Sequence, residues 1–208
     1  EGVVKYIDDF TSFPVDDTTG DPVAWTSTMV EAGSGNTTIA STDKSGGAVI
    51  ITTAGNENDG GNFQLNGESF KTDGNELYFY TKLQINDVDQ TDLFVGLAVT
   101  DTTLLGGVAN AIYFESVDGS ASLSAVTESG STETQSDSVG TLADGTDIEL
   151  EFYYNGSNVE FFVNGSSVAT SSANIPSTEV RVSVHFLTGE ATANTCTIDE
   201  IRCIQIGR

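Results

Sequence analysis

The chain has 208 residues, 38% of them hydrophobic, and sets 31 acidic against 7 basic side chains for a formal net charge of −24. That balance excludes nucleic acid and anionic membrane surfaces as partners, because binding either rests on Lys and Arg meeting phosphates. No apolar run approaches the roughly 20 residues of a membrane span, while the length suffices to bury roughly 70% of the unfolded surface in one core.

In chain order, "YIDDF", "VAWTSTMV", "TTIAS" and "AVIITT" read as short strands. Between them, Asp16 to Asp21 ("DDTTGD") and Asn56 to Asn62 ("NENDGGN") are loops of oxygen ligands. Neither follows the EF-hand order and an acidic chain generates such loops freely, so no cofactor is expected, a structural calcium ion being the alternative. "ELYFYTKLQI" then alternates Leu77, Phe79, Thr81, Leu83 and Ile85 against Tyr78, Tyr80, Lys82 and Gln84. "DLFVGLAVT" is apolar on both faces and reads as a strand covered on each side.

"DTTLLGGVAN" carries Leu104 and Leu105 between polar turn residues, which either tuck back onto the protein or anchor a neighbour. Asp118-Gly119 in "NAIYFESVDGSASLSAV" signals a hairpin. The polar run "TESGSTETQSDSVG" is expected to be a long mobile loop.

"IELEFYYNGSNVEFFVNGSSV" holds Asn-Gly twice, each between hydrophobic alternations, and reads as a three-strand meander. A two-residue turn at Asn155-Gly156 places Phe152 opposite Val159 but sets Glu151 against Glu160. A four-residue loop from Asn155 to Asn158 sets Glu160 opposite Tyr153 instead. The second turn, Asn164-Gly165, is expected to bring Val168 opposite Phe161.

"EVRVSVHFL" places His185, the only histidine, among alternating valines, where a half-exposed side chain is expected rather than a general base or ligand. Cys196 and Cys203 share the closing strand "TCTIDEIRCIQI". Seven residues of strand span roughly 23 Å, so these two thiols are not expected to pair with each other. With no metal-ligand spacing and about a dozen strands joined by turns, the expected fold is an all-β antiparallel sandwich or jelly roll, one domain over residues 1–208.

Taken together, "DDF", "ELYFYTKLQI", "DLFVGLAVTDTT", "AIYFESVDGS", the meander and "IDEIRCIQIGR" resemble concanavalin A-like jelly rolls. Within that set they most resemble the capsid decoration, or cement, proteins of tailed bacteriophages. The resemblance implies a structural, non-enzymatic protein on the capsid exterior of a virion. Its partner would be the major capsid protein, and it would form a homo-oligomer, a dimer or trimer.

On that reading Val3, Val4 and Tyr6 in a docking arm of residues 1–6, together with Leu104 and Leu105, are the expected contacts. The alternative is a secreted carbohydrate-binding, lectin-like module in which Tyr78 and Tyr80 stack on sugar rings. Relatives of this fold that cleave β-glucans carry Glu-x-Asp-x-x-Glu on one strand, which is missing here. Glu115 and Asp118 have the wrong spacing, and the pairs Glu149 with Glu151 and Glu151 with Glu160 read as a solvated strand face. No catalytic and no metal residues are therefore expected.

Overall fold

The computed structural model describes residues 2–18 and 20–207; Glu1, the first residue of the expected arm, Thr19 and Arg208 lie outside the described residues. The strands are β1 (Val3–Asp8), β2 (Trp25–Val30), β3 (Thr38–Ser41), β4 (Val49–Thr52), β5 (Gly60–Leu65), β6 (Phe70–Lys71), β7 (Glu76–Ile85) and β8 (Thr91–Ala98). There follow β9 (Asn110–Ser116), β10 (Ser122–Ser129), β11 (Thr132–Thr141), β12 (Ile148–Tyr154), β13 (Val159–Val163), β14 (Ser166–Ser171), β15 (Glu179–Thr188) and β16 (Thr195–Ile206). They make two eight-stranded antiparallel sheets that pack as a sandwich. The first runs β14-β13-β12-β7-β16-β4-β3 with β1 beside β16, and the second runs β11-β10-β9-β8-β15-β5-β2 with β6 beside β15.

Strand alternation builds the core. In β7 the side chains of Leu77, Phe79, Thr81, Leu83 and Ile85 are buried, while Tyr78, Tyr80, Lys82 and Gln84 stand half-buried on the outer face. Phe79, Phe152 and Phe161 are cross-strand neighbours on β7, β12 and β13. Phe79 and Phe152 stack at 4.8 Å, and Phe161 meets Phe114 of the second sheet edge-on at 5.4 Å, so one aromatic row ties both layers together.

The four-residue loop is the register adopted by the meander: Tyr153 lies opposite Glu160 and Phe152 opposite Phe161. Asn155 explains the choice, since its Oδ1 accepts hydrogen bonds from the backbone N–H groups of Ser157 and Asn158 at 3.0 and 2.8 Å. This register also faces Glu151 with Phe162 and avoids the like-charge pair. Asn164-Gly165 turns with positive φ at both residues, as expected. A bulge between Phe161 and Phe162, however, sets Ala169 rather than Val168 opposite Phe161.

One further expectation is corrected. Residues 132–141 are not a mobile loop but the edge strand β11, joined to β10 through Gly130 and Ser131, both at φ 59°, the left-handed geometry of a tight hairpin. An edge strand with so much solvated surface carries no apolar alternation, which is why its composition resembled disorder. Residues 3–6 of the expected docking arm lie in β1. β1 pairs with β16 from Val3 opposite Ile206 to Asp8 opposite Ile201, and Tyr6 turns inward against Trp25, edge-on at 6.0 Å. Cys196 and Cys203 are buried and unpaired, and burial pushes the Cys196 thiol up to about 12.

Candidate functional site

The outer face of the second sheet is unusual because it is polar yet largely buried. Asn62, His185, Phe94 and Glu115 follow one another across β5, β15, β8 and β9, and Gln64, Ser183, Gly96 and Tyr113 form the next row. Gly96 is required there: a Cβ would lie 2.2 Å from the Ile112 carbonyl oxygen and 2.7 Å from Tyr113 Cα. Phe94 and Tyr113 stack at 4.2 Å on either side of that gap.

The cover is the chain's own connection between β8 and β9, residues 99–109, referred to below as the strap. Asn62 Nδ2 donates to the Thr102 carbonyl at 2.6 Å and Gln64 Nε2 to the Val99 carbonyl at 2.9 Å, while Gln64 Oε1 accepts from the Asp101 backbone N–H. Leu104 and Val108 sink into a small second core with Phe94, Ala98, Ala111, Tyr113 and Val126. Of the two expected contact residues in the strap, Leu104 is therefore fully buried, and Leu105 packs at its rim.

His185 is buried beneath this cover rather than half-exposed, and burial pushes its pKa down to about 4. Asn62 orients its amide by donating to Thr102, so its Oδ1 accepts the proton of His185 Nδ1 at 2.6 Å. With its pKa so lowered the ring is neutral at pH 7, and Nε2 is buried with no hydrogen-bond partner among the described residues.

Beside the strap lies a cleft of about 500 Å³ lined by Leu105, Gly106, Tyr113, Glu115, Val117, Glu128, Ser131, Glu133 and Gln135. Glu115 is pushed from its ordinary 4.5 up to about 7, first by burial and then by the charges of Glu133, Asp137, Glu128 and Asp92. Gln135 Nε2 donates to its Oε1 at 3.0 Å. Glu128 is also raised, by burial and by Glu133, against a weak opposing hydrogen bond from the Tyr113 hydroxyl at 3.5 Å. Such a pocket presents many acceptors and few donors, with apolar rims at Leu105 and Val117. A larger depression of about 710 Å³ at one end of the sandwich is lined mainly by small polar loop residues and carries only one carboxylate, Asp73.

The other residues singled out in the sequence lie elsewhere. Tyr78 and Tyr80 belong to the outer face of the first sheet, on the far side of the sandwich from the cleft. Tyr78 donates to Glu151 at 2.6 Å, and the Arg202 guanidinium sits 5.1 Å above the Tyr80 ring, covering one of its faces. Glu160 accepts from Ser167, and Glu149 pairs in register with Lys82. Asp59 of the second oxygen-rich loop is buried; burial raises its pKa, but hydrogen bonds from Asn56 and from the backbone of Ala32, Asn56 and Gly33 outweigh that and hold it low. Asp16 organises its own turn by accepting from the Thr18 backbone N–H. Among the described residues no His, Cys, Asp or Glu cluster has metal-holding geometry.

Glu128, Glu133 and Gln135 escape sequence reading because they fall in the run taken for a loop. The signal lay in Gly130-Ser131 flanked by β-prone threonines at 127, 132 and 134.

The charge state of Glu115 sets a measurable pH dependence. Between pH 4.5 and about 7 the folded chain holds a proton that the unfolded chain has lost, so this group's contribution to stability falls as pH rises through that window. Glu115→Gln removes the burden while keeping an acceptor for Gln135. Urea unfolding should find the variant more stable than the parent by about 1–2 kcal/mol at pH 8, allowing for solvent screening of this partly exposed group, and equal to it below pH 4.5.

No protein-family model matches the chain, and no curated protein matches it in sequence. Solved structures do match in fold. A structure described with endo-acting O-glycanases of the human gut microbiota superposes with a TM-score of 0.70 at 10% identity, covering 97% of this chain and 99% of that one. A glycoside hydrolase family 16 endo-glucanase from Bacteroides ovatus gives 0.65 at 12% identity, covering 94% and 98%. The Emp47p carbohydrate recognition domain gives 0.61 at 12% identity, covering 90% of each chain. With its two antiparallel sheets and these neighbours, the chain has the concanavalin A-like jelly-roll fold of lectins and glucanases.

Proposed function

We propose that this protein binds carbohydrate without cleaving it, using the cleft between the strap and β11. The carrying observation is that cleft: an acceptor-rich pocket of about 500 Å³ on a sheet face otherwise sealed by its own strap. Sugar hydroxyls are donors that Glu115, Glu128, Glu133 and Gln135 can accept, while Leu105 and Val117 offer apolar rims for C–H faces. Fold neighbours that include carbohydrate recognition domains support the reading.

Binding is favoured over catalysis because Glu-x-Asp-x-x-Glu, the strand motif of the relatives that cleave β-glucans, is missing from the chain. The acids around Glu115 are crowded: every charged neighbour that shifts it is another acid, and Glu128 is raised as well. The same crowding disfavours uronic acids and favours neutral or basic sugars.

A glycan array with neutral, basic and anionic saccharides tests this. Neutral or basic hits should weaken about tenfold, or about 1.4 kcal/mol, in a Glu133→Ala, Gln135→Ala double variant on the edge strand. Melting should be unchanged. Binding that survives the double variant, or a preference for polyuronates, rejects the cleft.

A second reading keeps the capsid-decoration role. One observation favours it: Val3, Ile7 and Ile206 are exposed on neighbouring positions of β1 and β16, a low-acid apolar strip on a strongly acidic protein. Co-sedimentation with tailed-phage capsids, lost on Ile7→Asp, would support that role, and failure to bind any particle would remove it.

A further inference from the structure

A ligand chain crossing the second sheet from β9 towards β5 would pass over Glu115, then Phe94, His185 and Asn62, which are consecutive cross-strand neighbours. That path is filled. Phe94, His185 and Asn62 are at most 5% exposed, and the strap's own groups stand where a ligand's would. The Thr102 and Val99 carbonyls take the amide hydrogen bonds of Asn62 and Gln64, and Leu104 packs with the Phe94 and Tyr113 rings. His185 Nε2, buried and without a partner among the described residues, marks the polar row the strap covers but does not fully satisfy.

The strap also closes the cleft at one end. The Ser131 backbone N–H, in the β10–β11 turn, donates to the Ala109 carbonyl at 2.9 Å, and Gly130 N–H donates to Asn110 Oδ1 at 3.2 Å. Strap and turn are thereby joined, and both line the pocket through Leu105, Gly106 and Ser131. What remains is a blind recess with walls on the β8 side and at the turn.

We propose that the strap is a specificity stop: the site takes the ends of saccharide chains, or short oligosaccharides of roughly two rings, and rejects internal stretches of long chains. This rests on the carbohydrate reading above and adds the class of ligand. The two ends of the strap are already paired, because the Val99 N–H donates to the Asn110 carbonyl at 3.0 Å. A two-residue Asn-Gly hairpin can therefore replace residues 100–109.

The test is titration calorimetry with glucose and glucosamine oligosaccharides from two to about six units, on the parent chain, on the strap-replaced variant and on Leu104→Ala. The parent should show a Kd that changes less than about threefold with length, and the strap-replaced variant a Kd that tightens about tenfold or more over the same series. A parent Kd that itself tightens tenfold with length overturns the stop, with no variant needed. A folded strap-less variant with a flat profile overturns it too. If that variant does not fold, Leu104→Ala carries the comparison: length dependence no greater than the parent's rejects the stop. Absence of binding to either series by the parent chain is a different result. It removes the carbohydrate reading itself, and the stop with it.

Discussion

Truncating Phe152 to alanine should cost about 3–5 kcal/mol and lower the melting temperature by roughly 10 °C. The side chain is fully buried, stacks on Phe79 at an interplanar angle of 14° and lies 5.8 Å from Phe161. Its loss removes two aromatic pairs worth about 0.5–1.5 kcal/mol each beyond area burial. It also opens a cavity that the neighbours cannot close, because β7 and β13 are held in register on either side. Phe161, the next ring in the row, bridges to Phe114 across the sandwich, so the damage reaches the packing of one sheet on the other. Phe152→Leu keeps most of the volume and should cost about 1.5 kcal/mol or less. Urea unfolding of both variants gives the comparison, and equal costs would mean that the aromatic row is not what holds the sheets together.

Such residues were legible in the sequence because strand periodicity reports burial directly. Leu77 to Ile85 and Ile148 to Tyr154 alternate cleanly, and the structure buries the expected face of each. Turn chemistry was legible too, down to the two meander registers, although only the Asn155 side-chain hydrogen bonds decide between them.

The candidate site was less legible for a physical reason. Tyr113 and His185 sit on a face whose burial depends on the strap folding back, a tertiary event that period-two alternation does not encode; only on β8, apolar on both faces, is the covered outer side readable from the sequence. His185 consequently looked half-exposed. Glu128, Glu133 and Gln135 lie at the β10–β11 edge, where polarity on so much of the strand imitates a disordered run. Tyr78 and Tyr80, the most conspicuous aromatics in the alternation, lie on the other sheet, where Tyr78 donates to Glu151 and Arg202 covers one face of Tyr80.

The segment with most at stake between the two functional readings is β1, and Tyr6→Ala separates an arm from a strand. A free arm would tolerate the change with no shift in melting. As a strand residue, Tyr6 turns inward, meets Trp25 edge-on and donates its hydroxyl to Asp8 at 3.0 Å, while burial and that carboxylate raise its pKa. Losing the ring should cost about 2–3 kcal/mol, a fall in melting temperature of roughly 5–10 °C. Val3, an outward-facing residue three positions earlier, is 58% exposed, and Val3→Ala should shift stability by less than about 0.5 kcal/mol. Scanning calorimetry of the two variants checks both figures. Saccharide binding by folded Tyr6→Ala should be unchanged, since β1 belongs to the first sheet and the cleft to the second. β1 thus has two independent faces: Val4 and Tyr6 belong to the core, and only Val3, Lys5 and Ile7 are free to meet a partner. A docking role for this segment, if it has one, must therefore run through the outward residues of an intact strand, and deleting the whole segment would confuse lost docking with lost folding.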